Sequence, residues 1–461
     1  MASAPLTVVI GAGISGLTCA YALQKSGQNV LVLEAAARPG GMIQSVAENG
    51  CLLELGPQSF GRTAGLARLC DELDLNDRVV EAPAAAPRFV WIGGRLTPVP
   101  MTLPSFLASD LLGWKSKWAI LSEPLRRTRP PEDDESVAEF TRRKFSGQTL
   151  ERLVDPFVSG IYAGDAEQIS LRAAFPGVYE AEKSAGSVMR GMIRARTRSR
   201  TAAARPGSAA SRRGLISFRP GNETLVRALA DKLGAALCCN TEVTEISRRG
   251  GGYVAQLESR SRTEQVSCAR LVLAAPTRPT AKLLEGLAPE ASRALEGICY
   301  APVAVVSLGY RRDQIRNPLE GFGFLAPRSA GIRTLGTVWN SSLFPGRAPQ
   351  GQVLLTSFVG GAIDRSAATL SPEELSQLVQ GELGPILGVT GAPAMERVTQ
   401  YADAIPQYNL GHGKRLAAAQ QALRAVPGLW VVGNYWNGPA VGACLDRSLA
   451  VAEQVRISYN S

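Results

Sequence analysis

The chain has a single histidine, His412, in 461 residues. A multi-histidine metal centre is excluded, and any Ser–His–Asp or Cys–His site would have to use that one imidazole. The eight cysteines are scattered, with no C-x-x-C and no Cys/His cluster. They read as reduced core thiols rather than a disulfide framework or a zinc site. No apolar run approaches the ~18 residues that span a bilayer, and the N-terminus shows neither a basic n-region nor an apolar h-region. The expectation is a cytoplasmic protein, soluble or peripheral on the inner face of the cell membrane. With so little general acid–base machinery, a bound cofactor is expected to carry the chemistry.

The formal net charge of +10 belongs to one segment. Eight arginines fall between Arg190 and Arg213 with no acid, lysine or aromatic among them, and elsewhere the two signs nearly balance. Without stacking aromatics or a reading fold, nucleic-acid binding is not expected. Residues 191–213 read as an Arg/Ala/Ser-rich linker, either solvated or touching anionic lipid or an acidic substrate.

What the sequence does hold is concentrated at its start. Val8-Val9-Ile10 runs into Gly11-Ala12-Gly13-Ile14-Ser15-Gly16, and a second apolar strand, Leu31-Val32-Leu33, ends on Glu34. In a strand–turn–helix–strand context this is a dinucleotide fingerprint. Gly11 permits the tight turn, Gly13 lets backbone approach a pyrophosphate, and Gly16 lets helix and strand pack closely. The helix, expected from 17 to about 25, offers free N–H groups to phosphate. Glu34 is placed to accept from a ribose 2′-OH. Arg38-Pro39-Gly40-Gly41-Met42 follows, and a second glycine pair suits a loop running beneath an extended FAD.

Further along, the segments 101–107 and 111–120 are apolar with spaced lysines and read as short amphipathic helices. Trp114 and Trp118, one helical turn apart, are placed either as interface anchors or in the core. Residues 222–234 form an amphipathic helix with Asn222 as N-cap, a Leu225/Leu229/Leu233 stripe and Gly234 after the last turn. Strands are expected over 241–246, 253–257 and 269–274, with 303–308 and 353–358 in a second sheet. Near the end, Leu429-Trp430-Val431-Val432-Gly433-Asn434 and a helix over 441–454 repeat the opening strand–turn–helix. Both could converge on one cofactor.

Several longer segments now bring a family into view. These are Glu54-Leu55-Gly56-Pro57-Gln58-Ser59-Phe60, Pro87-Arg88-Phe89, Gly160-Ile161-Tyr162-Ala163-Gly164-Asp165, and Ile405-Pro406-Gln407-Tyr408-Asn409-Leu410-Gly411-His412. With the closing Gly433-Asn434-Tyr435, they make nearly the whole chain resemble the flavin-containing amine oxidase and phytoene desaturase superfamily. Within it, the resemblance is to the FAD- and oxygen-dependent protoporphyrinogen oxidases. Trp436-Asn437-Gly438-Pro439-Ala440-Val441-Gly442-Ala443-Cys444 and Arg219-Pro220-Gly221-Asn222 depart from the family's usual stretches.

The resemblance implies an α/β fold: a Rossmann-type FAD-binding domain (1–80, 214–278 and 404–461), a mixed-sheet substrate domain (81–97 and 279–403), and a mostly α-helical, membrane-associated domain (98–190). It implies non-covalent FAD held by Gly11, Gly13, Ile14, Ser15, Gly16, Glu34, Arg38, Gly40, Gly41, Met42, Gly56, Pro57, Val243, Gly433, Asn434 and Val441. It assigns Arg88 to a substrate propionate, with Gln58, where many relatives carry Asn, donating to the same carboxylate. The Gly160 carbonyl would face the macrocycle, and Leu335 and Phe358 would sandwich a pyrrole ring. His412 is expected to be structural or cofactor-adjacent. The reaction implied is six-electron oxidation of a porphyrinogen, with three O2 reduced to three H2O2. Coproporphyrinogen III, another flavin amine oxidase substrate, or a non-catalytic flavin scaffold stay open at this point, as does a homodimer.

Overall fold

A computed structural model describes residues 5–203, 214–259 and 262–458. A five-stranded parallel sheet runs in the order Leu237–Cys238, Val30–Leu33, Thr7–Ile10, Arg270–Leu273, Leu429–Val431. Its strands are apolar without alternation because both faces are covered. One face packs against helices Ile14–Lys25, Glu223–Leu233 and Val441–Ile457. The other buries Val8, Ile10, Leu33, Leu271 and Leu273 against a three-stranded antiparallel sheet and further helices. The first and last strands thus share one sheet, and the helices that follow them pack side by side.

A seven-stranded sheet lies beyond it, ordered Met395–Pro406, Tyr300–Arg311, Gln352–Gly360, Thr334–Trp339, Gly323–Leu325, Arg88–Ile92, Arg95–Pro98. Its one parallel pair joins Gly323–Leu325 to Arg88–Ile92, so an early chain segment completes a sheet built mostly from later sequence. The domain boundaries expected at 80/81, 278/279 and 403/404 fall inside strand Val79–Glu81, helix Thr277–Leu284 and strand Met395–Pro406. Composition marks where character changes, whereas cross-strand pairing sets where a strand ends.

The helices from Val137–Lys144 to Pro176–Ala185, with the start of Val188–Ala203, gather around a small core of their own. The expected linker is corrected here: its first part, 191–203, is helical, and 204–213 lies outside the described residues. Alanine, arginine and methionine favour helix. The helix is also started by a distant group. Glu123 accepts from the N–H of Val188 (2.8 Å) and Met189 (3.2 Å) and from Ser187 Oγ (2.8 Å). Asn222 stands at the N-cap as expected, but its side chain makes no capping bond; it accepts from Ser217 Oγ and donates to Pro57 O, both in the interior. The cysteines are unpaired, with Cys299 exposed and Cys238 and Cys239 half-buried rather than in the core. Among the described residues no helix is long and apolar enough to cross a membrane.

Candidate active site

The glycine turn divides into two kinds of position. A Cβ on Gly16 would lie 1.9 Å from the Gly11 carbonyl oxygen, and one on Gly11, at φ +103°, would lie 3.0 Å from the Ala274 carbonyl. Those two glycines are demanded by the protein's own packing. A Cβ on Gly13 would meet no protein atom within 4 Å. Packing within the protein does not require a glycine there. That space lies at the opening of helix Ile14–Lys25, where Ile14 and Ser15 begin the turn whose N–H groups lack intrahelical partners. The site therefore fits a dinucleotide pyrophosphate.

Neighbouring residues shape this cradle. Glu34 accepts from the N–H of Ala12 (2.6 Å) and Ala36 (2.9 Å), which holds its carboxylate beside the turn. Arg38 donates to the carbonyls of Pro39, Gly41 and Ile43, and so fixes the Gly40–Gly41 loop against Gly13. Gly56 lies so close to Met42 that a Cβ would be 2.0 Å from the Met42 carbonyl oxygen. Pro57 is held through its carbonyl by Asn222. Val243 is buried under the parallel sheet. At the other end of the chain Val441 opens the last helix, and Tyr408 staples the turn before it. The Tyr408 hydroxyl donates to Asn434 O and accepts from Gly438 N, both at 2.7 Å, one residue beyond Gly433 and at Gly438.

Leu335 and Phe358 lie on adjacent strands and share one apolar cluster with Met42, Ala163, Ala301 and Val303. Met42 directly follows the Gly40–Gly41 loop, so this cluster borders the glycine cradle. Gly160 lies in the last turn of helix Asp155–Tyr162, whose final carbonyls have no following turn to bond. A Cβ there would strike Leu325 Cδ2 at 2.7 Å. The next residue, Ala326, donates to Leu335 O at 3.0 Å. Arg88 begins strand Arg88–Ile92 and is exposed. Its guanidinium lies 5.2 Å from the Phe322 ring centre, and no salt bridge among the described residues uses it.

Gln58 departs from expectation. It is buried, and its Nε2 donates to Glu54 O (2.8 Å) and Gly56 O (2.9 Å). Its Oε1 accepts from Asn340 Nδ2 at 2.7 Å. No donor is left for a propionate.

His412 is buried with its Nε2 2.9 Å from Tyr435 O, its ring 4.1 Å from that of Tyr408, and Nδ1 without a partner. A carbonyl can only accept, so Nε2 carries the proton. Burial pushes the imidazole pKa down to about 4, which keeps it neutral. The segment around it is scaffold: Gln407 Nε2 donates to Tyr162 O at 2.8 Å, tying it to the Gly160 helix.

Sequence reasoning missed Asn340 and Arg347. Arg347 is 1% exposed and salt-bridged to Glu54, itself 2% exposed. Burial pushes the Glu54 carboxyl above its ordinary range, and Arg347, Ser45 Oγ and Asn222 N–H pull against that. Neither residue stands in a pattern that sequence spacing could reveal.

The family profile described as flavin containing amine oxidoreductase matches residues 14–456. A chloroplastic protoporphyrinogen oxidase of Nicotiana tabacum is 35% identical, covering 97% of this chain and 85% of its own. A coproporphyrinogen III oxidase of Bacillus subtilis (strain 168) is 29% identical, covering 96% of each. The crystal structure of a candidate protoporphyrinogen oxidase from Exiguobacterium sp. 255-15 superposes with a TM-score of 0.82 at 27% identity, covering 99% of this chain and 100% of that one. The chain, matched by this profile over nearly its whole length, belongs to the flavin containing amine oxidoreductases and is a flavin-dependent enzyme.

Proposed function

We propose that the chain oxidises protoporphyrinogen IX to protoporphyrin IX, with FAD bound non-covalently and O2 as electron acceptor. The observation that carries this is the apolar wall of Leu335 and Phe358 meeting Met42 of the cofactor loop, with an unpaired Arg88 in the same sheet. Arg88 stands two strands from Leu335 and, level with Val338, three residues further along, about 14 Å at ordinary strand spacing and rise. That suits a flat macrocycle with a carboxylate on one edge.

Bound at this site, FAD supplies a hydride acceptor that O2 can reoxidise, so that three rounds give the porphyrin and three H2O2. The protein's part is positioning. Arg88 binds a propionate through a guanidinium that keeps its charge. Leu335 and Phe358 clamp the ring, and the Gly160 backbone limits its tilt. Neutral His412 takes no proton; pyrrole N–H protons leave to solvent. We place the protein at the inner face of the membrane, with exposed Trp114, Trp118 and Leu125 as the contact.

A second reading, coproporphyrinogen III oxidation, is favoured by the Bacillus relative. Both are tested by mixing holoenzyme anaerobically with each porphyrinogen. Absorbance at about 450 nm, where oxidised flavin absorbs, should bleach and return on aeration with porphyrin fluorescence. The faster substrate decides between the two, and no bleaching with either overturns both.

A further inference from the structure

Gln58 and Asn340 lie 282 positions apart and meet in the interior, where both are buried. Gln58 Nε2 is committed to two backbone carbonyls, which fixes the orientation of its amide. Its oxygen must then face Asn340, and Asn340 must donate. Asn340 follows directly on strand Thr334–Trp339, which carries Leu335. Gln58 ends the strip 54–58, whose Gly56 rests on the Met42 backbone. Met42 in turn packs in the same apolar cluster as Leu335 and Phe358. The hydrogen bond therefore closes a ring of contacts between the wall assigned to substrate and the loop assigned to flavin. The Arg347–Glu54 ion pair makes a second tie onto the same strip.

The geometry points to Asn340 as a positioning residue that, through Gln58, sets the gap between the Leu335/Phe358 wall and the flavin loop. This rests on the porphyrinogen reading above. Hydride transfer depends steeply on that gap, since a displacement of about 1 Å can cost about a hundredfold in rate.

The test exchanges one methylene. Gln58→Asn shortens one amide, Asn340→Gln lengthens the other, and the double variant restores the combined length. Each single variant should slow anaerobic bleaching of the holoenzyme by porphyrinogen about tenfold or more, with KM within about twofold. Flavin content and spectrum should stay unchanged, and the double variant should recover most of the rate. If the longer glutamine does not fit the buried site, Asn340→Ala, which removes the donor to Gln58 Oε1 without adding bulk, should show the same kcat loss at constant KM.

A raised KM in Gln58→Asn with Asn340 variants silent makes Gln58 a substrate ligand and overturns the inference. So does a lowered Tm with unchanged bleaching, which leaves a purely structural bond. A wild-type enzyme that bleaches with neither porphyrinogen defeats the functional reading instead, so the two failures are distinct.

Discussion

Gly13 and Gly16 look alike in the sequence, yet they answer to different partners. Gly13 has φ −66° and ψ 173°, which alanine adopts freely, and open space where a Cβ would go. Gly13→Ala should fold with wild-type Tm but bind flavin about tenfold or more weakly, from loss of a charge-assisted contact of about 1.5–3 kcal/mol. Gly16→Ala should fail to fold, because its Cβ would sit 1.9 Å from a carbonyl oxygen. Fluorescence titration of the apoprotein separates the two. Arg88→Ala should lower kcat/KM about tenfold or more, again about 1.5–3 kcal/mol, and Arg88→Lys should recover only part because an ammonium cannot bind both carboxylate oxygens. Unchanged kinetics would remove Arg88 from the site. His412 makes a prediction of its own sign. Its pKa is lowered from 6.5 to about 4, so the unfolded chain takes up the proton first as pH falls. Stability from this group is complete above 6.5 and is lost towards 4, on the order of 2 kcal/mol between pH 7 and pH 5. Urea midpoints should show that loss in wild type and a flatter profile in His412→Gln.

Whether an element was legible depended on where its determinants lie. The opening strand–turn–helix could be read because its glycines, apolar strand and acid fall within one short stretch. The Leu225/Leu229/Leu233 stripe could be read because helical periodicity is local, and all three are buried. Helix Val188–Ala203 could not, since the carboxylate that starts it is Glu123, more than sixty positions earlier. The same limit explains Asn222: an Asn before an apolar run is a sound cap signal, but Ser217 and Pro57 claim its side chain first. For helix Trp114–Leu121 the sequence left two readings, and the structure separates them. Trp114 and Trp118 are 69% and 70% exposed. Replacing both with serine should leave Tm nearly unchanged and weaken partitioning onto anionic vesicles about tenfold, well within the ~1.5–3 kcal/mol that burying one large apolar side chain contributes. Co-sedimentation measures it, and unaltered partitioning would remove Trp114 and Trp118 from the proposed membrane contact.

On the scale of the whole molecule, segments far apart in the sequence are joined by polar groups that no local pattern announces. Glu54 ends a strand beside the cofactor loop, and Arg347 belongs to the segment that leaves the seven-stranded sheet. They are 293 positions apart and both nearly inaccessible. A carboxylate so buried is costly by itself, and its ion pair and hydrogen bonds offset that cost. Arg347→Met should therefore be worse than losing the pair entirely. It leaves Glu54 charged and short of its main partner, at a cost of about 3–5 kcal/mol. Glu54→Leu/Arg347→Met removes both charges and should regain much of that stability. Because the pair ties the hairpin Ser45–Glu48/Cys51–Glu54 to the segment that follows strand Thr334–Trp339, the single variant should also split a cooperative unfolding curve into two transitions, the first freeing that hairpin. Urea unfolding followed by tryptophan fluorescence and by flavin release reads both effects. If the double variant is as unstable as Arg347→Met, the hairpin is held by the cation–π contact of the Arg347 guanidinium with Phe344, whose ring centre lies 5.6 Å away, and not by the ion pair.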